Sequence, residues 1–367
     1  MRGAVGTAAL GVTLALAAGM FDAEPLYVPG VGFALLGSIT AAWVWGAARG
    51  ATVSRTLEAR RVVEDEPLRI RVSARAGRLS LPGSEVHDEL LDEPVRLDAQ
   101  RGEAAIRINA RFARRGRKTL AAPTLLVRDP LGLASWVVSG GDPDEVLVLP
   151  RIDPVRAVDG GGEGTVAGRL ASPLAAAQVE VDGVRPGLET TPASRIYWPG
   201  LARGRGLMER RLRADSDQRP IVVLDTRAPA SEEDLDAAAR AAASLCIHLA
   251  RRGGCSVLLP RDRRPTTLEA TLGGWPHLHA RLALVPADLA PPNTGLAGRR
   301  GSIVYVCAHV PARMPRALAG VAAAGRILVT PGRLPGHSPA FEVGGCLGYE
   351  LWRAGAGGLR APAARVA

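Results

Sequence analysis

The densest chemistry in this chain lies between Arg195 and Arg213, where Tyr197 and Trp198 are interleaved with Arg195, Arg203, Arg205, Arg210, Arg211 and Arg213. Tryptophan, tyrosine and arginine are enriched among interface hot spots, because a flat ring covers a large area with few rotors and a guanidinium offers a planar fork of donors. Arg195, Tyr197, Trp198 and Arg203 are therefore the candidate partner-binding residues. In the competing reading, Trp198 and Ile196 fill a join between two domains while Arg195 and Arg203 pair with carboxylates.

Other reactive side chains do not fall into catalytic patterns. His277-Leu278-His279 could present two imidazoles on one side of a strand, but no cysteine or carboxylate stands at a metal-ligand spacing from them. Cys246, Cys255, Cys307 and Cys346 form no CxxC pair and have apolar neighbours, which predicts buried free thiols in a reducing compartment. The glycine cluster from Gly160 to Gly164 lacks the Gly-Lys-Ser/Thr ending of a phosphate loop, and no Gly-x-Ser-x-Gly elbow occurs. Glu85, Asp88, Glu89, Asp92 and Glu93 read as a solvated acidic loop. No catalytic residue, cofactor or small-molecule substrate is expected.

The formal net charge is +10, and 45 of the 46 basic residues are arginine, Lys118 being the exception. With aromatics at 4%, the stacking platforms that accompany basic grooves for single strands are missing. Nucleic acid is not expected as a partner; a basic face beside anionic lipid accounts for the charge.

Two uncharged runs, Ala4–Phe21 and Val31–Ala48, flank Asp22-Ala23-Glu24-Pro25. Each is just long enough to cross a bilayer as a helix, and Tyr27, Trp43 and Trp45 lie near the ends, where amphipathic rings favour the interface. Arg2 precedes the first run; Arg49, Arg55, Arg60 and Arg61 follow the second. The positive-inside rule then predicts a two-pass hairpin (residues 1–50) in the cytoplasmic membrane with the body inside. A cleaved signal peptide is the competing reading of the first run; it leaves the body on the same side.

Across residues 51–150, short alternating runs such as Leu68–Val72 and Ala105–Asn109, punctuated by glycine and proline, predict an antiparallel β-sandwich. Residues 151–215 read as a linker followed by the Arg/Trp segment. Residues 216–335 alternate strands with helices and predict an α/β layer with a mostly parallel, Rossmann-like sheet. Its strands are Ile221–Leu224, Ser256–Leu259, Arg281–Val285, Ile303–Cys307 and Arg326–Val329. Ser231-Glu-Glu-Asp234 reads as a capping box opening a helix that Gly253 stops; a further helix is expected over Met314–Ala324. Residues 336–367 read as a flexible tail.

Three stretches together resemble the bacterial family catalogued as domain of unknown function 58. They are Arg115-Gly116 with Val127-Arg-Asp129-Pro130-Leu131-Gly132-Leu133; Leu147-Val-Leu-Pro150-Arg151; and Arg185 followed by Arg195-Ile196-Tyr197-Trp198, Ala202-Arg203 and Leu207. Where the family carries a tyrosine and a Gly-Asp pair, this chain has Gly187 and Thr190-Thr191. The resemblance implies a membrane-tethered protein with a β domain and a von Willebrand factor A-like α/β domain, of a kind often encoded beside a MoxR-type AAA+ ATPase. Such a domain can hold Mg²⁺ on an Asp-x-Ser-x-Ser loop, since a hard cation needs several oxygens at close range. The corresponding loop here reads Asp225-Thr226-Arg227-Ala228-Pro229. Asp225 and Thr226 are then the edge of a degenerate site, with no metal expected. The function this implies is non-enzymatic: a membrane-anchored scaffold docking a cytoplasmic protein, with a MoxR-type ATPase as the candidate. The rival is a cell-envelope enzyme whose site the sequence does not display.

Overall fold

The structure, a computed structural model, describes residues 1–77, 79–81, 83–97, 102–158, 180–186, 196–204, 206–213, 219–291, 296, 301–319 and 325–351. The chain divides into two compact units, Met1–Val148 and Leu149–Ala367.

The first unit opens with two helices, α1 (Arg2–Phe21) and α2 (Tyr27–Gly50). Asp22, in the left-handed region at φ 49°, ends α1, and a single 3-10 turn at Glu24–Leu26 leads into α2. Both helices are long and apolar enough to cross a membrane. Small residues let their backbones touch: a Cβ on Gly11 would strike the backbone of Ala34, one on Gly30 that of Ala15, and one on Gly37 Ala4 and Ala8. Where lipid removes the hydrophobic drive between helices, such close approach supplies the dispersion contact that pairs them.

Ten short strands follow: β1 (Thr52–Leu57), β2 (Arg61–Val63), β3 (Leu68–Arg75), β4 (Ser84–His87), β5 (Val95–Leu97), β6 (Glu103–Ala110), β7 (Gly116–Leu120), β8 (Thr124–Arg128), β9 (Ser135–Ser139) and β10 (Asp144–Leu149). They form sheets in the orders β1-β3-β6, β2-β10-β7 and β5-β4-β8-β9. The pairings β1–β3, β3–β6, β7–β10, β4–β5, β4–β8 and β8–β9 are antiparallel. The period-two pattern does what it predicts: Leu68, Ile70, Val72 and Ala74 of β3 point inward while Arg69 and Arg71 stay out. All three sheets share one apolar core, to which Val53, Ile70, Val86, Leu125, Val146 and Val148 contribute, and the base of the helical hairpin joins it through Ala4, Val44 and Ala47.

Glu89, Asp92 and Glu93 are exposed, as expected of a solvated loop, but Asp88 and Glu85 are drawn inward. The side chains of Asp88 and Arg55 are both 0% exposed and paired at 3.1 Å, and Arg55 also reaches Asp144 at 2.8 Å and the Leu120 carbonyl at 3.0 Å. Glu85 pairs with Arg96, and Glu89 accepts the Ala121 N–H. Buried charges persist only when paired, so strands distant in sequence supply what the local pattern concealed.

The turn Asp129–Ala134 is built from inside. The buried Asp129 carboxylate accepts the N–H groups of Leu131 and Ala134. The same turn caps α1: Ala4 N–H donates to Leu133 O at 2.7 Å and the Met1 amine to Ser135 O at 3.2 Å. Groups that a helix start leaves without intrahelical partners are thereby satisfied. Gly77 lies against the backbone of Gly50, and Leu79 reaches Gly46.

In the second unit the strands are β11 (Arg156–Ala157), β12 (Glu180–Pro186), β13 (Met208–Arg213), β14 (Ile221–Asp225), β15 (Cys255–Leu258), β16 (Thr266–Leu268), β17 (Ile303–Cys307), β18 (Arg326–Thr330), β19 (Phe341–Val343) and β20 (Cys346–Glu350). The helices are α3 (Trp198–Ala202), α4 (Glu232–Ala250), α5 (Trp275–Ala283) and α6 (Arg316–Ala319). One eight-stranded sheet has the order β11-β19-β20-β18-β17-β14-β15-β16; β12 and β13 pair apart as an antiparallel ribbon. The inner strands β18, β17, β14 and β15 are parallel, and the outer ones are antiparallel to their neighbours. Val222, Leu224, Val304 and Val306 face α4 and α5, whereas Ile221, Val223, Ile303 and Tyr305 pack on the other side with Leu318 of α6. Burial on both faces explains why these strands read as continuous apolar runs.

Ser231 Oγ accepts the Asp234 N–H at 3.1 Å, with Glu232, Glu233 and Asp234 in the first turn of α4, as the capping motif predicts. Gly253 follows the helix at φ 139°.

Four expectations are corrected. The run Arg281–Val285 is not a strand: its first three residues end α5, which Pro276 opens and which buries Leu278 and Leu282. The described part of the Met314–Ala324 helix is Arg316–Ala319. The 151–215 segment is not all linker, since β11 joins the main sheet through β19 and Val155 is buried; residues 159–179 lie outside the described ones. The sheet does not stop at 335, because β19 and β20 form a hairpin paired to β18. Gly344 and Gly345, at φ 59° and 84°, make its two-residue turn. A Cβ at Gly344 would strike the backbone of Ala241 in α4. Residues 352–367 are outside the described set.

Candidate functional site

From β14 the chain proceeds through α4 to β15 on one side and later returns to β17 on the other. Connections that leave in opposite directions open a crevice at the carboxyl ends of the strands, the usual place for ligands in such sheets. Asp225 ends β14 there and Cys307 ends β17, joined by a bond from Ala308 N–H to Asp225 O at 2.9 Å.

Asp225 is buried and fully engaged. Oδ1 accepts the Arg227 backbone N–H at 3.1 Å and Nε at 2.9 Å; Oδ2 accepts Arg227 Nη2 at 2.6 Å and the Tyr305 hydroxyl at 2.8 Å. Thr226 turns the other way, its hydroxyl donating to Leu289 O at 3.2 Å, and Asp288 accepts the Ala228 N–H at 3.0 Å. The loop after β14 is thus clamped to residues 288–289.

Burial alone would raise the Asp225 pKa, but the hydrogen bonds from Arg227 and Tyr305 outweigh it and hold the carboxylate below its ordinary value. Arg227 is held more firmly protonated by Asp225. Burial and the Asp225 charge push the Tyr305 phenol and the Cys307 thiol well above their usual ranges. Near neutral pH these groups sit in fixed protonation states, and none is poised to exchange a proton with a substrate.

The donor set does not suit a divalent cation. The Arg227 guanidinium occupies the side of the carboxylate a metal would need, and among the described residues no group of three or more His, Cys, Asp or Glu could hold a metal ion. The two histidines of His277-Leu278-His279 fall on α5 at a two-residue separation, where side chains diverge. His277 is exposed, while His279 is buried, stacks on Trp275 with ring centroids 4.6 Å apart, and bonds Pro150 O through Nε2 at 2.7 Å. All four cysteines are free and buried, as their surroundings predicted.

The Arg/Trp segment gathers on α3. Tyr197 is half-buried, and its backbone N–H bonds Met208 O at 2.7 Å, at the head of β13. Pro199 starts α3, and a Cβ at Gly200 would meet the Tyr197 ring. Trp198 is 53% exposed and Leu201 40%, and Arg203 is exposed as well. Trp198 and Leu201 stand three apart and so share a helix face. Tyr197, Trp198 and Arg203 lie at the two ends of α3; Arg195, Gly187, Thr190 and Thr191 lie outside the described residues. The buried Arg55–Asp88–Asp144 group is the feature sequence reasoning missed, and no local signal announces it.

A scan against protein-family models and a search among curated proteins both return no match.

Proposed function

We propose that this chain is a membrane-anchored, non-enzymatic docking protein and a divergent relative of the domain of unknown function 58 family. The hairpin holds it in the cytoplasmic membrane with the body inside. Its α/β unit is of the von Willebrand factor A-like kind, a reading supported by the parallel order β18-β17-β14-β15 and by an aspartate ending the first parallel strand. The observation that carries the docking role is Trp198, a large apolar ring standing out into solvent beside Leu201 and Arg203 on a short helix whose start is tied to β13. Exposed aromatic and arginine anchors in a fixed frame are what interfaces use. The closed Asp225–Arg227 pair favours binding over chemistry at the crevice. The partner proposed is a cytoplasmic protein, with a MoxR-type ATPase first on the basis of the resemblance.

Co-purification from membranes tests this. Wild type should retain a stoichiometric partner that Trp198→Ala and Arg203→Ala lose while keeping the wild-type circular dichroism. If both variants retain every partner, the docking role of α3 is wrong. A reporter fused after the last residue should be active only on the cytoplasmic side.

A further inference from the structure

We propose that the β domain itself binds the membrane surface, dipping the Asp129–Ala134 turn and the start of β9 into the lipid headgroup layer. This rests on the reading of α1 and α2 as a transmembrane hairpin. α1 has 20 residues, which at ~1.5 Å per residue gives ~30 Å, about the thickness of the hydrocarbon core. A helix with no spare length must place its first turn at the interface. That turn is bound to the β domain through Ala4 N–H on Leu133 O and the Met1 amine on Ser135 O. The buried Asp129 carboxylate fixes the turn internally. Inserting α1 therefore carries residues 131–136 down to the headgroups.

The side chains found there suit that layer. Leu131 is 61% exposed and Trp136 44% exposed, next to the two residues that hold α1. Leu79, also exposed, touches Gly46 of α2 from the neighbouring loop. Arg128, Arg2 and Arg49 are exposed around them, and Arg49 lies over the Trp45 ring at 3.7 Å. Indole rings favour the interface and arginines anionic headgroups. Continuity with the hairpin and this mix of apolar tips and positive charge identify the occupant as the surface of an anionic bilayer.

The test uses the full chain in phosphatidylcholine–phosphatidylglycerol vesicles, with a nitroxide on Leu131→Cys, on Leu16→Cys within α1, or on Glu58→Cys just beyond the far end of β1. The four native thiols are buried, so the introduced one reacts. Collision with oxygen and with a water-soluble nickel chelate reports depth. Leu16 should read deep, Leu131 shallow within the bilayer, and Glu58 aqueous. A deep Leu16 with an aqueous Leu131 overturns the proposal and leaves the hairpin reading intact; an aqueous Leu16 overturns both. A Leu131 label shielded from both reagents means protein covers the turn and also overturns it. As a second measurement, the emission lost in Trp136→Phe, taken as the difference between the two proteins, should be quenched by brominated lipid, and an unquenched difference signal sinks the idea.

Discussion

Arg55 gathers partners from distant parts of the chain: Asp88 beyond β4, the Leu120 carbonyl at the end of β7 and Asp144 at the start of β10. Breaking a buried pair strands the remaining charges, at a cost of about 3–5 kcal/mol. Arg55→Met should lower the urea-unfolding free energy by about that amount, while a reporter fusion shows the same orientation, because Arg49, Arg60 and Arg61 still follow the second apolar run. In the second unit two side chains make stability acid-sensitive in separate windows. The folded pKa of His279 is lowered by burial, so the unfolded chain takes up the proton first. Its contribution is complete above about pH 6.5 and shrinks as pH falls through that value toward the lower folded one. The melting temperature should drop between about pH 7.5 and pH 5.5, and less so in His279→Gln, whose amide can still donate to Pro150 O. Asp225, held low by Arg227 and Tyr305 after burial is offset, keeps its contribution above about pH 3.9 and loses it only below. Asp225→Asn should lower stability above about pH 4 and flatten that acid limb, leaving the histidine window in place. The Asp225–Arg227 pair was readable from two residues' separation; the Arg55 group, spanning three sheets' worth of chain, was not.

Elements were legible where a local rule acts. The Ser231 cap, the Gly253 stop and the alternation in β3 all follow from neighbours in sequence. Two elements were misread for identifiable reasons. The run Leu282-Ala-Leu-Val285 is apolar and short, and periodicity cannot assign so brief a run; the i,i+4 pairs Trp275–His279 and Leu278–Leu282 carried the helical signal. The β19–β20 hairpin was hidden by composition, although Gly344-Gly345 between Phe341–Val343 and Cys346–Glu350 has the spacing of a two-residue turn. Gly344→Val meets both a positive φ and the backbone of Ala241. It should destabilise the chain by more than about 2 kcal/mol in urea unfolding, as strained backbone and overpacking together do.

At the level of the whole molecule, the two apolar helices were visible in the sequence, since burial on one face, on both faces, or in lipid leaves different periodicities. What composition could not give is how tightly the hairpin closes. Gly37 admits the backbone of α1 at Ala4 and Ala8, so Gly37→Leu should force the helices apart, raising crosslinking of α1 and α2 to lipid-borne photoprobes relative to wild type. Unchanged crosslinking would show that the two helices do not depend on this contact.

The placement of the cysteines has a practical consequence. All four belong to the second unit, none is exposed, and the Cys346 thiol is pushed up to about 12 by burial, with Cys307 higher still. The native chain should be inert to a thiol reagent, and what slow reaction occurs then measures how often this unit opens. Sulfur has thus given the molecule a clock for one of its two halves, readable in intact membranes without adding any label.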